Sequence, residues 1–233
     1  MTQAQLFAEP IAPWLRIDCG DAVAWLESLP RESVDLVLMD PAYESLEKHR
    51  AHGTTTRLTK AWFEIFPNSR LPDLLRACHR VLKSDAHCYI VCDQETMHVL
   101  HALNEQLDLF TWWKFIVWDK ISIGMGYHWR ARHEVVCFLE KGKRKLNDLA
   151  APDVLSFKAI RGGYATEKPV PLLRAIIENS SSPGDVVCDP FSGSGSCAEA
   201  ALLSGRRFAG CDLSEDAVRK AIERCTPLIP KGS

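Results

Sequence analysis

The sequence lacks the features that place a chain in or across a membrane. No uninterrupted apolar run in its 233 residues approaches the roughly 18 residues that a membrane-spanning helix requires. The N-terminal region contains Glu9 and two early prolines, and it lacks the basic segment followed by an apolar one that marks a secretory signal. We therefore expect a cytoplasmic protein that does not contact membranes.

Paired cysteines are also lacking, although cysteine itself is not. The nine cysteines are scattered, and no two of them form a Cys-x-x-Cys pair. Several, such as Cys88, Cys92 and Cys188, lie within apolar runs, where a thiol behaves as a small hydrophobic side chain. This pattern argues against a disulfide framework and against a zinc site of the usual ligand spacing. We predict reduced core cysteines and no metal.

A dominant charge, internal repeats and low-complexity segments are absent as well. The formal net charge is −2, and a content of 46% hydrophobic and 25% charged residues is ordinary for a globular protein. A chain of this length can bury a sizeable core, so we predict one domain over residues 1–233. The charges are unevenly distributed along the chain, because residues 114–145 hold eight Lys or Arg against three acids.

What the sequence does contain is a pair of short loops, each directly after an apolar run. Val34–Met39 predicts a buried strand, and Asp40-Pro41-Ala42-Tyr43 follows it. A second predicted strand, Asp185–Asp189, precedes the loop Phe191-Ser192-Gly193-Ser194-Gly195. Ligands of open α/β sheets bind at the carboxyl ends of strands. Both loops are therefore candidate site loops.

The second loop begins a nucleotide-binding pattern. Its glycines belong to a Gly-x-Gly-x-x-Ala motif, followed by a predicted helix over Ala198–Leu203 and a predicted strand over Arg207–Cys211 that ends at Asp212. Glycines let backbone N–H groups approach a ligand, and a carboxylate at the end of the second strand can accept hydrogen bonds from ribose hydroxyls. The pattern predicts a β-α-β unit that binds a nucleotide-like ligand.

The remaining segments alternate between strand and helix patterns. Strands are predicted at residues 15–18, 88–92, 115–118 and 135–139, and helices at residues 22–29, 71–82, 98–107 and 171–178. Such alternation is typical of an α/β fold with a doubly wound, mostly parallel sheet.

The motifs and their order resemble those of the β class of DNA amino-methyltransferases, in which the catalytic loop precedes the methyl-donor loop. The resemblance covers most of the chain and rests on Gly20-Asp21, Asp40-Pro41-Ala42-Tyr43, Trp118-Asp119-Lys120, Thr166-Glu167-Lys168-Pro169, the loop from Asp189 to Gly195, and Asp212. It implies a seven-stranded Rossmann-like methyltransferase sheet with circularly permuted motif order, and S-adenosylmethionine as cofactor. One position departs from the family, because Ala42 replaces a proline that would stiffen the loop.

For the catalytic loop, the resemblance implies methyl transfer to an exocyclic amine of a DNA base. The carboxylate of Asp40 and the carbonyl of Pro41 would accept the two N–H bonds and localise the nitrogen lone pair. Tyr43 would stack on the base, which must be flipped out of the duplex to become accessible. An Asp at the first loop position is associated with adenine N6 in this family, with cytosine N4 as the alternative.

For the donor, the resemblance implies contacts on the other loop and at two further motifs. Lys168 would meet the methionine carboxylate of S-adenosylmethionine, and Asp21 would bond its adenine or ribose. The candidate cofactor-binding residues are Asp21, Lys168, Asp189, Phe191, Ser192, Gly193, Ser194, Gly195 and Asp212.

The implied partner is double-stranded DNA, and a homodimer is compatible with the resemblance. Residues 44–70 and 119–165 are the segments available to recognise DNA, and their basic side chains would contact phosphates. Glu134 is expected to orient an arginine. The candidate DNA contacts are Lys48, Arg50, Arg57, Arg130 and Arg132.

Two functions from other classes remain open at this stage. A nicotinamide oxidoreductase would explain the glycine loop but not Asp40-Pro41-Ala42-Tyr43, and binding of NAD against S-adenosylmethionine would separate the two hypotheses. A non-catalytic DNA-binding subunit with a degenerate site is favoured by Ala42 and disfavoured by the presence of Asp40 and Tyr43.

Overall fold

The structure is a computed structural model that describes residues 14–45, 64–124, 127–160 and 167–230 of the chain. These residues form eight strands: β1 (Leu15–Cys19), β2 (Val34–Met39), β3 (Leu82–Cys92), β4 (Thr111–Asp119), β5 (His133–Lys141), β6 (Val154–Ser156), β7 (Val186–Asp189) and β8 (Arg207–Asp212). They also form six α-helices: α1 (Ala22–Ser28), α2 (Leu71–Val81), α3 (Gln94–Leu107), α4 (Val170–Ser180), α5 (Ser196–Leu203) and α6 (Glu215–Cys225).

Local sequence determines where several helices begin. The side chains of Asp21, Asp93 and Ser214 accept hydrogen bonds from backbone N–H groups in the first turns of α1, α3 and α6. These caps satisfy donors that have no partner within the helix. Helix α4 instead begins at the Pro169-Val170-Pro171 segment, where proline fixes the backbone dihedral of a first turn.

The strands form one sheet in the order β1-β8-β7-β2-β3-β5-β4-β6. The pairs β1/β8, β7/β8, β2/β7, β2/β3 and β4/β6 are parallel, whereas β5 runs antiparallel to both β3 and β4. From the adjacent strands β2 and β7 the chain continues in opposite directions, to β3 on one side and to β8 on the other. This reversal is a topological switch point, the place where such sheets bind ligands.

The core consists of two layers, one on each face of the sheet. Trp25, Leu26 and Leu74 belong to the layer beneath α1 and α2, and Ile177 and Phe208 belong to the layer beneath α4 and α5. Successive residues of β2 from Leu36 to Met39 alternate between the two layers, as the two-residue period of a strand requires. The sheet is therefore covered on both faces by helices.

The α/β, doubly wound and mostly parallel fold predicted from the sequence is confirmed. The sheet has one strand more than the seven expected, because the three residues of β6 pair with the outer edge of β4. The strand predicted at residues 135–139 lies within β5, which forms an antiparallel hairpin with β4. Among the described residues, no helix is long and apolar enough to cross a membrane. All nine cysteines are free, and only Cys19 is exposed.

Candidate active site

The two predicted site loops lie side by side at the switch point. Asp40 follows β2, Asp189 ends β7, and these strands are parallel neighbours. The thiol of Cys197, at the start of α5, lies 3.6 Å from the carbonyl of Leu38 in a buried contact. Since parallel strands carry their carboxyl ends to the same edge, residues separated by about 150 positions in the sequence reach one site.

Asp40 belongs to a group of four charged side chains that alternate in sign, which we call the charge cluster: Asp40, Lys168, Glu134 and Lys120. The Nζ atom of Lys168 lies 2.5 Å from Oδ2 of Asp40 and 3.5 Å from Oε2 of Glu134. The Oε1 atom of Glu134 lies 2.6 Å from Nζ of Lys120. The expectation that Glu134 orients an arginine is wrong, because both of its oxygens face lysines.

Burial and charge act against each other in the charge cluster. Burial raises the pKa of Asp40 above its usual value, opposed by Lys168 and reinforced by Glu134. Burial alone would lower the pKa of Lys168, but Asp40 and Glu134 raise it overall. The pKa of Glu134 is lowered, since Lys168 and Lys120 outweigh an opposing effect of burial. Lys168 therefore carries its charge at neutral pH, and together with Lys120 it balances the charges of Asp40 and Glu134.

The remainder of the catalytic loop is held from two sides. The N–H of Phe66 donates to the carbonyl of Ala42 over 2.8 Å, and Tyr43 forms a β-bridge with Phe66. The hydroxyl of Ser45 donates to Oδ2 of Asp93 over 2.5 Å. Tyr43 is partly buried against the core, and burial raises the pKa of its phenol. The loop is thus ordered without the proline that Ala42 replaces.

The donor loop is fixed mainly by backbone hydrogen bonds. The N–H of Ser192 donates to the carbonyl of Cys211, and its hydroxyl donates to the carbonyl of Asp189, each over 2.9 Å. The N–H of Gly193 donates to Oδ2 of Asp212 over 2.9 Å. Asp212 therefore shapes the loop besides being a candidate ligand of the donor.

Gly195 is required by packing as well as by dihedral angle. Its φ is 86°, in the left-handed region that favours glycine, and a Cβ built there would lie 2.9 Å from Cα and Cβ of Ala221 in α6. Beside it, Ser194 accepts a 3.5 Å hydrogen bond from Arg224, which also pairs with Glu167 at 2.6 Å. This contact links the donor loop to the residue that precedes Lys168.

Asp189 and Phe191 connect the two loops. Asp189 is buried, its Oδ1 accepts from the N–H of Phe191 over 2.9 Å, and burial raises its pKa to about 8. The ring of Phe191 packs edge-on against Phe66, with centroids 5.2 Å apart. Phe66 therefore contacts both loops. Its ring packs on Phe191 in the donor loop, and its backbone pairs with Tyr43 in the catalytic loop.

Asp21 and Gly20 lie at the carboxyl end of β1, one strand beyond β8. Both oxygens of Asp21 accept 2.7 Å hydrogen bonds from Arg70, a partner that sequence reasoning missed. The hydrogen bonds from Arg70 lower the pKa of Asp21. A Cβ built on Gly20 would meet no atom within 4 Å, so the backbone there borders open space next to Asp212. Carboxylates and open backbone at these strand ends fit the ribose and adenine of a nucleoside ligand.

The candidate DNA contacts fall into two groups. Lys48, Arg50 and Arg57 lie outside the described residues. Arg130 and Arg132 lie in the connection between β4 and β5, and Arg132 donates to both oxygens of Asp119 over 2.6 and 2.8 Å. Arg130 donates through Nε to the carbonyl of Gly124 over 2.7 Å.

The same β4–β5 connection exposes two large aromatic side chains that the sequence reasoning did not select. Tyr127 and Trp129 are fully exposed, and Ile123, Trp129 and Arg130 line a shallow hollow with His128. The connection leaves the sheet at Lys120 and returns just before Glu134, so its base belongs to the charge cluster. In the sequence, the close spacing of aromatic and basic residues in this segment was the signal that could have identified these exposed rings.

Comparison with known proteins agrees with the geometry. A family model described as DNA methylase matches residues 34–161 and 152–223. The chain is 32% identical to a putative methylase, YubD, of Escherichia coli (strain K12), covering 88% of this chain and 87% of the relative. It is 29% identical to the DNA adenine methyltransferase YhdJ of the same organism, covering 88% and 80%.

A solved structure resembles the fold over nearly its full length. It is a putative DNA modification methylase from Thermus thermophilus, determined in complex with S-adenosyl-L-methionine. The TM-score is 0.68 at 23% identity, and the match covers 93% of this chain and 95% of that one. This likeness supports the sheet topology described above.

Proposed function

Because this chain belongs to the DNA methylase family of N6 and N4 amino-methyltransferases, we propose that it methylates double-stranded DNA at adenine N6. The observation that carries the proposal is the position of Asp40 and the donor loop on either side of one switch point. A methyl acceptor on one loop and a methyl donor on the other would meet there. Neither a nicotinamide oxidoreductase nor a non-catalytic subunit requires, in that place, a half-buried carboxylate paired with a buried lysine.

S-adenosylmethionine is the methyl donor of this function, and it supplies an electrophilic methyl group on a sulfonium. The residues that would hold it are those around the donor loop. The N-terminus of α5 borders one end of the site, and Asp21 and Asp212 would offer carboxylates to the nucleoside hydroxyls and base. Phe191 would supply an apolar wall. Lys168 is paired with Asp40. If Lys168 also bound the carboxylate of the donor, its ammonium group would interact with the donor and with the charge cluster at the same time.

Asp40 would accept an N–H bond of the target amine, and the carbonyl of Pro41 would accept the other. These bonds draw the nitrogen lone pair out of conjugation with the ring, which makes the amine nucleophilic. The raised pKa of Asp40 makes its carboxylate a stronger acceptor than an exposed aspartate. Tyr43, with a neutral phenol, is proposed to stack on the flipped base.

The proposed DNA surface includes the β4–β5 connection. Arg130 and Arg132 would contact phosphates, and Tyr127 and Trp129 offer exposed rings to bases or sugars. Lys48, Arg50 and Arg57 remain predicted contacts from the sequence. The choice of adenine over cytosine is supported by the Asp at position 40 and by similarity to YhdJ, a DNA adenine methyltransferase.

Methyl transfer to DNA tests the proposal directly. Purified protein would be incubated with S-adenosylmethionine carrying a tritiated methyl group and with unmethylated genomic DNA, and the DNA would be digested to nucleosides. We expect the label in N6-methyldeoxyadenosine. Label in N4-methyldeoxycytidine would contradict the choice of base, and absence of label from DNA in the presence of bound donor would contradict the enzymatic function.

A further inference from the structure

We propose that Phe66 is a positioning residue that holds the catalytic loop at a fixed distance from the donor loop. The inference rests on the proposed function and adds a residue to it. Its basis is that Phe66 pairs with the catalytic loop through its backbone and packs on the donor loop through its ring.

The sheet alone does not set the separation of the two loops. The described register of β2 and β7 consists of two pairs, Leu36 with Val187 and Val37 with Cys188. This pairing ends before Asp40 and before the donor loop. Methyl transfer requires the reacting atoms about 3 to 3.5 Å apart and aligned, and a misplacement of about 1 Å can lower a rate about 100-fold. Contacts beyond the paired residues must therefore fix the loops relative to each other.

The backbone of Phe66 holds the catalytic loop. Its N–H donates to the carbonyl of Ala42 over 2.8 Å, and it forms a parallel bridge with Tyr43. Ala42 lies between Pro41 and Tyr43, the residues proposed to bind the amine and to stack on the base. Since Ala42 lacks the ring that would stiffen the loop, the bond to Phe66 restrains both of its neighbours.

The ring of Phe66 packs on the donor loop. Phe66 is buried, and its ring meets that of Phe191 edge-on, with centroids 5.2 Å apart and planes at 83°. Edge-on aromatic pairs have a preferred distance and angle, so this contact fixes position as well as burying apolar surface. The N–H of Phe191 donates to the buried Asp189 over 2.9 Å, which attaches the second ring to the base of its loop.

Arg70 holds the same ring and extends the contact to the carboxyl end of β1. Its guanidinium carbon lies 5.1 Å from the centroid of Phe66, a distance at which a cation is attracted to an aromatic ring. The same guanidinium donates to both oxygens of Asp21 over 2.7 Å. The ring of Phe66 is thus connected to two parts of the proposed donor site, Phe191 directly and Asp21 through Arg70.

Phe66→Leu separates the role of the ring from that of the backbone, because leucine keeps the N–H and an apolar side chain. We expect the single-turnover rate of methyl transfer, at saturating S-adenosylmethionine and DNA, to fall about tenfold or more. The dissociation constant of S-adenosylmethionine, measured by calorimetry, should change by less than about threefold, since the misplacement affects the reaction rather than binding. An unchanged rate would overturn the proposal, as would a loss of donor affinity as large as the loss of rate.

Phe110→Leu is the matched control. Phe110 is 6% exposed against 7% for Phe66, belongs to the same core layer, and packs edge-on against His79 with centroids 5.1 Å apart and planes at 79°. It directly precedes β4, which begins at the edge of the sheet opposite the site. The variant should lose stability as Phe66→Leu does, while its rate of methyl transfer stays unchanged. An equal loss of rate in both variants would overturn the proposal.

A double-mutant cycle tests whether the effect passes through the ring contact. Phe191→Leu removes the other ring of the pair, so its loss of rate should overlap with that of Phe66→Leu. The double variant should be slower than the slower single variant by less than about threefold. Losses that multiply would show that the two rings act independently and would overturn the proposal.

Hydrogen exchange tests the position of the loop without methyl transfer. The amide at residue 66 is bonded to Ala42, and Phe66→Leu should lower its protection factor, measured by NMR, about threefold or more. Phe110→Leu should leave this protection factor unchanged. An unaltered value in Phe66→Leu would overturn the proposal.

Two further arms keep these outcomes distinguishable. If Phe66→Leu does not fold, Phe66→Met, whose flexible side chain adapts to the same space, replaces it in each measurement with the same expected results. Absence of methyl transfer by the wild-type protein, with the expected pattern of protection factors, would contradict the proposed function alone.

Discussion

The catalytic loop and the donor loop reach the same edge of the sheet but are held in different ways. Backbone hydrogen bonds and the dihedral angles of glycine fix the donor loop, with Gly193 bonded to Asp212 and Gly195 packed on Ala221. At the catalytic loop, the proposed catalytic side chain, Asp40, is held by an ion pair with Lys168. The donor loop is thus held by its backbone, and the catalytic loop presents a carboxylate held by a lysine from a distant part of the chain.

The two loops differ in their proposed tasks as well: the donor loop binds the donor, and the charge cluster takes part in methyl transfer. A donor that packs against the donor loop needs a loop that does not change shape, and the N–H groups of Ser192, Gly193 and Gly195 fix that shape through hydrogen bonds within the protein. A carboxylate that accepts a substrate amine needs a free lone pair directed into the site, and the ion pair with Lys168 uses only Oδ2 of Asp40. Variants of the donor loop should therefore affect folding and donor affinity, and variants of the charge cluster should affect turnover.

The largest effect is expected from Asp40→Asn. Loss of the carboxylate should reduce methyl transfer by about 100-fold to 1,000-fold or more, while S-adenosylmethionine binds within a few-fold of the wild-type affinity, because its proposed contacts lie mainly on the other loop. Tritium transfer to DNA and calorimetry measure the two quantities. The control is Asp35→Asn, on the same strand and paired with Lys83 at 2.7 Å. Substantial transfer by Asp40→Asn would contradict the mechanism.

Asp189 should make stability depend on pH. Burial raises its pKa from 3.8 to about 8, so the folded protein keeps a proton that the unfolded chain loses above about pH 4. Its contribution to stability is thus present at low pH and lost as pH rises toward 8. Between these limits, the unfolding free energy of the wild-type protein should fall relative to that of Asp189→Asn by several kcal/mol, at about 1.4 kcal/mol per pKa unit.

Urea denaturation of both proteins across this pH range, without donor, measures the difference. Parallel curves would mean that Asp189 is ionised in the folded protein at neutral pH and that the donor loop contains a buried charge.

Gly195→Ala should lower the unfolding free energy by about 1 to 3 kcal/mol, since the added Cβ meets Ala221 at 2.9 Å and the dihedral angle disfavours a side chain. Gly20→Ala is the matched control. Its Cβ would enter open space, so stability should not change, whereas affinity for S-adenosylmethionine should fall. Denaturation and calorimetry give both values. Unaltered donor affinity in Gly20→Ala would exclude this space from the donor site.

The same contrast explains what the sequence could predict. The donor loop, its flanking strands and Asp212 lie within about 30 residues and follow local rules of strand pattern and glycine spacing, so their arrangement was predictable. The charge cluster joins positions 40, 120, 134 and 168, and only folding brings them together. Helix α6 was missed although Ser214 followed by Glu215 and Asp216 is a helix-start signal. Strand β6 has only three residues and too little pattern to detect.

The smallest effect is expected at the β4–β5 connection, where two arginines differ in how firmly the protein holds their side chains. Arg132 is bound at both oxygens of Asp119, whereas Arg130 is held at Nε alone by the carbonyl of Gly124 among the described contacts. Arg130→Gln should therefore reduce the slope of log affinity for duplex DNA against log salt by about 0.9, the value of one phosphate contact. Arg132→Gln should change it less, because binding DNA through Arg132 requires breaking an existing ion pair. Fluorescence anisotropy at several salt concentrations measures both slopes. A larger change in Arg132→Gln would mean that the pair with Asp119 opens on DNA and that Arg132, not Arg130, makes the phosphate contact.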